Sequence, residues 1–114
     1  MAGTYSTTII TGETFGRVIT WQDSSGSPYD LTGFSARMQL RTKSGGTLVK
    51  ELNTTSGGIV LGGSAGTITV SISAADTAAL TPQDMVYDLF VTSGSGIVTR
   101  LLVGSIPVVK SVTQ

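Results

Sequence analysis

Residues 66–73 read Gly-Thr-Ile-Thr-Val-Ser-Ile-Ser, and along them Ile68, Val70 and Ile72 alternate with Thr67, Thr69, Ser71 and Ser73. A period of two places all the apolar side chains on one face, as in a strand with one side in a core and the other in water. The same period returns in residues 35–41, where Ala36, Met38 and Leu40 oppose Ser35, Arg37, Gln39 and Arg41. It returns again in residues 85–92, with Tyr87, Leu89 and Val91 opposed to Val86, Asp88 and Phe90. Residues 13–22 give a weaker version, whose inward set is Phe15, Arg17 or its neighbours, Ile19 and Trp21.

Turn residues separate these runs. Asp23-Ser24-Ser25-Gly26-Ser27-Pro28 closes one strand, Lys43-Ser44-Gly45-Gly46 joins residues 36–42 to 47–52, and Ser93-Gly94-Ser95-Gly96 joins 86–92 to 97–103. Glycine accepts the positive φ that tight hairpins need, so the last two read as hairpins. The Gly-rich residues 57–66 have no Lys-Ser/Thr ending and lead into a strand, so they read as two successive hairpin turns, not as a phosphate loop. Further short strands are expected at 59–61 and 106–109, the latter at a sheet edge or bent, because Pro107 has no amide to donate. Only residues 73–80 break the period. Ser73 followed three residues on by Asp76 marks a helical turn, ended by Thr81-Pro82. The expected architecture is all-β: one domain over residues 1–114, an antiparallel sandwich of about 7–8 strands with one short helical turn.

Composition narrows the function. The 114 residues contain no Cys and no His, and Lys, Arg, Asp and Glu make up only 12%. Disulfides, thiolate nucleophiles, thiolate metal sites and His-activated serines are thereby excluded. Seven cations balance seven anions, and the basic residues are scattered along the chain. A nucleic-acid surface, which gathers cations to displace counterions, is not expected. Net neutrality removes self-repulsion and favours association. No apolar run reaches the ~20 residues of a bilayer span. The start, Met1-Ala2-Gly3-Thr4-Tyr5, lacks the basic-then-apolar pattern of a signal peptide.

The carboxylates are Glu13, Asp23, Asp30, Glu51, Asp76, Asp84 and Asp88. Asp23 and Asp30 stand in turns, Asp76 at a helix start, and Glu51 and Asp88 alternate with apolar neighbours as solvent-facing strand residues do. No catalytic pair, metal site or cofactor site is expected from them. Trp21 is read as a core residue, since a lone Trp fills much of the gap between two sheets. The alternative places it on an exposed carbohydrate-binding platform.

Specific residues carry a resemblance. Asp30-Leu31-Thr32-Gly33-Phe34 enters the strand with outward Arg37 and Arg41, and Tyr87-Asp88-Leu89 faces Thr99-Arg100-Leu101-Leu102. With Thr20-Trp21-Gln22-Asp23 and Gly66-Thr67-Ile68-Thr69-Val70, the chain resembles the immunoglobulin-like module of tailed-phage and prophage virion proteins, including the amino-terminal domain of baseplate upper proteins. The resemblance spans nearly the whole chain. It implies a non-enzymatic structural protein, folded in the bacterial cytoplasm and placed in a tail, baseplate, neck, head-to-tail joint or capsid surface. The implied partners are other virion proteins and copies of itself, without nucleic acid or membrane. The terminal segments, residues 3–10 and 106–114, are the expected adaptable ends that reach neighbouring subunits. The runner-up is a carbohydrate-binding sandwich aiding adsorption, with Trp21 as its ligand-binding residue.

Overall fold

The computed structural model describes residues 3–111. Seven strands of three or more residues build two sheets. They are β3 (Phe15–Thr20), β4 (Ser35–Arg41), β5 (Leu48–Asn53), β6 (Ile59–Leu61), β7 (Thr67–Ile72), β8 (Val86–Thr92) and β9 (Val98–Ser105). Three two-residue pieces complete the set: β1 (Gly3–Thr4), β2 (Ile9–Ile10) and β10 (Val108–Val109). One sheet has the order β1-β9-β8-β4-β5 and the other β3-β7-β6. All pairs among β3 to β9 are antiparallel. This order, in which a three-stranded sheet faces one that carries an extra strand beside its central pair, is that of an immunoglobulin-like sandwich.

The alternation read from the sequence is the alternation of the core. Ala36, Met38 and Leu40, Ile68, Val70 and Ile72, and Tyr87, Leu89 and Val91 are all buried between the sheets. In β3 the inward row is Phe15, Arg17 and Ile19, opposite Ile72, Val70 and Ile68. Arg17 keeps its head at the rim: its guanidinium carbon lies 4.6 Å from the Phe15 ring centre, and its Nε donates to Thr7 Oγ1 at 3.0 Å. A long stem can thus occupy a core row while its charge stays wet.

The helical turn is α1 (Ala74–Ala78), capped by Ser73, whose Oγ accepts from the Asp76 amide at 3.2 Å. Both expected hairpins form, closed by Gly46 N–H to Lys43 O and Gly96 N–H to Ser93 O. The Gly-rich stretch departs from expectation. Its second turn, around a 3-10 turn at Gly63–Ala65, does join β6 to β7. Its first turn carries the chain from β5 in one sheet to β6 in the other, with Gly57 and Gly58 at positive φ. A turn between sheets and a turn within one sheet use the same glycines, so composition does not separate them.

The terminal segments also depart from expectation. Residues 3–11 run parallel to residues 102–111 and zip onto them: Tyr5, Thr7, Ile9 and Thr11 donate to the carbonyls of Val103, Ser105, Pro107 and Val109. Ile9, Ile106 and Val108 lie in the core, and burying three branched aliphatics favours this docked arrangement over free ends. Pro107, which has no amide to donate, separates β9 from β10, while its carbonyl still accepts from Ile9. Residues 112–114, part of the expected carboxy-terminal arm, lie outside the described residues.

Candidate functional site

The surface with the most chemical character is the outward face of the five-stranded sheet. Register places its side chains in rows. Phe90 has Arg37 as partner on one side and Arg100 on the other. In the next row Asp88 lies between Gln39 and Val103, with Glu51 beyond Gln39. The third row pairs Arg41 with Val86. Beyond it the β4–β5 hairpin brings Lys43 to the rim of a concavity of ≈ 440 Å³, on whose lining Phe90, Val86 and Val103 supply the apolar part.

Arg100 reaches this face because of a β-bulge. The register of β8 and β9 shifts between Leu89 and Phe90, so Leu102 opposes Leu89 while Arg100 opposes Phe90, and Leu101 is the extra residue. Strict alternation would put Val103 and Arg100, three residues apart, on opposite faces; a bulge re-aims one of them. Leu101 is buried, which holds the bulge in place. The sequence shows the cations as scattered. The register instead gathers three of the four arginines and Lys43 on one face, which the order along the chain does not reveal.

Hydrogen bonds organise part of the face. Gln39 donates to Glu51 Oε1 at 2.7 Å and accepts from Arg41 at 2.8 and 3.2 Å. Arg41 also donates to Gly46 O at 2.9 Å, and Asn53 donates to Glu51 Oε2 at 2.9 Å. Hydrogen bonds from Gln39 and Asn53, aided by the charges of Arg37 and Arg41, hold the Glu51 carboxyl below its usual range. Arg37 and Arg100 carry no ion pair among the described residues, where Lys50 and Asp76 form one at 3.6 Å.

The other carboxylates serve local structure. Asp23 Oδ1 accepts from Ser25 N, Ser25 Oγ and Ser27 N, and Asp30 Oδ1 accepts from Thr32 N and Thr32 Oγ1. These contacts, led in each case by the side-chain hydroxyl, depress both carboxyl pKa values. Trp21 packs half-buried against the edge of the core. Its ring stacks on Tyr29 at 4.0 Å and meets Phe34 edge-on at 6.3 Å. One face of the indole is thus occupied by the protein itself.

Tyr87 links the sheet to the amino-terminal segment: its hydroxyl donates to the Tyr5 carbonyl. Burial, with a smaller contribution from Tyr5, pushes the phenol up to about 12. An unfolded chain ionises its tyrosines near pH 10, about the model-peptide value. A raised folded pKa therefore leaves stability intact below about pH 10 and erodes it as pH climbs from 10 toward 12. Urea midpoints at pH 8, 10 and 11 are expected to fall over that window in the native protein. Tyr87→Phe should fall less; an identical alkaline slope would contradict the assignment.

The three-stranded sheet presents a different exterior. Val18, Thr69 and Val60 form one row across it, and the valines are 65% and 68% exposed. Gly16, Thr20, Thr67 and Ser71 make up the rest, with no charged side chain among these positions. No helix of the described residues is long and apolar enough to cross a membrane.

No family model and no curated protein matches this chain. Among solved structures, Drosophila OTK extracellular domains 3–5 align with 93% of this chain at 17% identity and a TM-score of 0.40. The chain spans 32% of that structure's length.

Proposed function

We propose that this protein is a non-enzymatic structural component of a tailed-phage virion, in the tail or baseplate, the neck or head-to-tail joint, or the capsid surface. It works through contacts with other virion proteins and with copies of itself, needs no cofactor, and folds in the host cytoplasm. The observation that carries this reading is the pair of outward sheet faces, one concave with cations around Phe90, the other uncharged with Val18 and Val60 exposed. Contiguous apolar surface marks contact sites on small domains, and Val18 and Val60 flank Thr69 in one row of this face. The outer strands β5, β6 and β3 add sheet edges that a partner strand can extend. The resemblance to virion modules supplies the setting. The engagement of Asp23, Asp30, Glu51 and Asp76 in turns, side-chain bridges and an ion pair supports a role without catalysis. The carbohydrate-platform alternative is weakened by Tyr29, which stacks on one face of the Trp21 ring and reduces the aromatic area left for a sugar.

The test is particle composition. When lysis is induced in the strain that encodes the chain, antibody to it should label gradient-purified tailed particles. The label should survive a 0.5 M salt wash at constant copy number per particle. Recovery only from the soluble fraction overturns the proposal.

A further inference from the structure

We infer that the concave outer face of the five-stranded sheet is a docking site for an extended acidic segment of a partner protein, seated between Arg37 and Arg100 with an apolar side chain over Phe90. This rests on the contact role proposed above and names the partner's chemistry. Charge is unevenly placed on the molecule. Arg37, Arg41, Arg100 and Lys43 border the concavity, against Asp88 inside it and Glu51 at its edge. The chain as a whole is neutral, so a surplus of two positive charges on one face is matched by acids that lie elsewhere. Glu51 is already shared between Gln39 and Asn53, which leaves Arg37 and Arg100 to meet a ligand.

Shape and spacing select the ligand class. Arg37, Phe90 and Arg100 stand on three adjacent strands, so at about 4.8 Å per strand the two arginines are roughly 10 Å apart. Two carboxylates four residues apart with an apolar residue midway suit that arrangement, since residues i, i+2 and i+4 of an extended segment lie on one side about 7 Å apart, and the long arginine and glutamate side chains take up the remaining difference. Arginine forks pair with carboxylates in two-point geometry. Phe90, Val86 and Val103 offer the intervening side chain an apolar floor. A nucleic-acid backbone fits less well. Its unbroken row of phosphates would lie over Phe90 between the arginines, whereas a peptide can place an apolar residue there. Arg41, held by Gln39 and Gly46, gives the site a fixed point that does not have to be ordered on binding.

Fluorescence anisotropy with a fluorescein-labelled octapeptide carrying Glu-Ser-Leu-Ser-Glu tests this on the full chain. The comparison probes are the Gln-for-Glu peptide and labelled oligothymidylate. The Glu peptide is expected to bind at least tenfold more tightly than the Gln peptide and to weaken at least tenfold between 50 and 500 mM salt. Arg37→Ser combined with Arg100→Ser should reduce binding at least tenfold, while Lys110→Ser, outside the concavity, should leave it unchanged. Both arginines are exposed, and an unaltered melting temperature confirms that the double variant folds. The inference is overturned by equal binding of the two peptides, by indifference to the arginine substitutions, or by tighter binding of the oligonucleotide. Because the assay uses purified protein and synthetic peptides, it can fail while the chain still copurifies with particles. It can equally succeed when the chain does not.

Discussion

Replacing Gly104 by alanine is expected to lower the melting temperature by about 10–15 °C and to detach the amino-terminal segment from the sheet. Gly104 is the register partner of Tyr87 in β8, and the backbone of Tyr5 crosses directly over it. A Cβ at position 104 would overlap the Tyr5 carbonyl, which is backbone and cannot rotate aside. The segment must therefore lift. Lifting it breaks the bonds from Tyr5 N to Val103 O, Thr7 N to Ser105 O and Ile9 N to Pro107 O, and the Tyr87 hydroxyl loses its acceptor. At about 1 kcal/mol for each backbone bond the loss is about 3 kcal/mol, which for a domain of this size gives the stated shift. Amide exchange provides the local check. In the variant, Tyr5, Thr7 and Ile9 should exchange faster while Leu89 and Val91 stay protected. Native melting and protected amino-terminal amides would refute the steric argument.

Thr77→Val is expected to destabilise the protein by about 2 kcal/mol, against about 1 kcal/mol for Thr77→Ser. Thr77 is fully buried in α1. Its hydroxyl accepts from Gly12 N at 3.1 Å and lies 2.9 Å from Glu13 O and 3.0 Å from Ala74 O, to which its proton is donated. Through this one oxygen the helical turn is tied to the entry of β3. Valine matches threonine in shape but leaves the amide of Gly12 and the carbonyl of Glu13 without their partner, at a cost of order 1–3 kcal/mol. Serine keeps the hydroxyl and loses one methyl, worth about 0.8 kcal/mol. Urea unfolding of the three proteins separates the cases. A valine variant no weaker than the serine variant would show that the hydroxyl contributes little.

The two substitutions fall where the amino-acid order is least informative. Strands β4, β7 and β8 are legible because their inward sets repeat at a strict period of two and every member is apolar. Ser73 and Asp76 likewise announce α1. The amino-terminal strands are not legible. Residues 3–8 are almost wholly polar, and their pairing partners lie about a hundred residues away, beyond the reach of any local pattern. Thr77 looks like any other helix-surface hydroxyl until Gly12 and Glu13 are folded against it. The candidate site was hidden for a related reason. Its arginines come from β4 and β9, joined only through β8, and Arg100 faces outward by virtue of a bulge that parity along the chain contradicts. The order of residues reads Trp21 as core, and the fold leaves it half-buried at the edge of the core, stacked on Tyr29 and edge-on to Phe34.

The parallel alignment of the two ends has a mechanical consequence. Gly3 lies beside Leu102, and Ser111 donates its amide to Thr11 Oγ1 at 3.0 Å. The polypeptide thus enters at one end of this seam and leaves at the other. Tension applied through residues 3 and 111 would slide the two segments lengthwise, stretching all the bonds between them together instead of peeling them open one at a time. A module strung between neighbours by its ends would resist such a pull until the whole seam gave way at once.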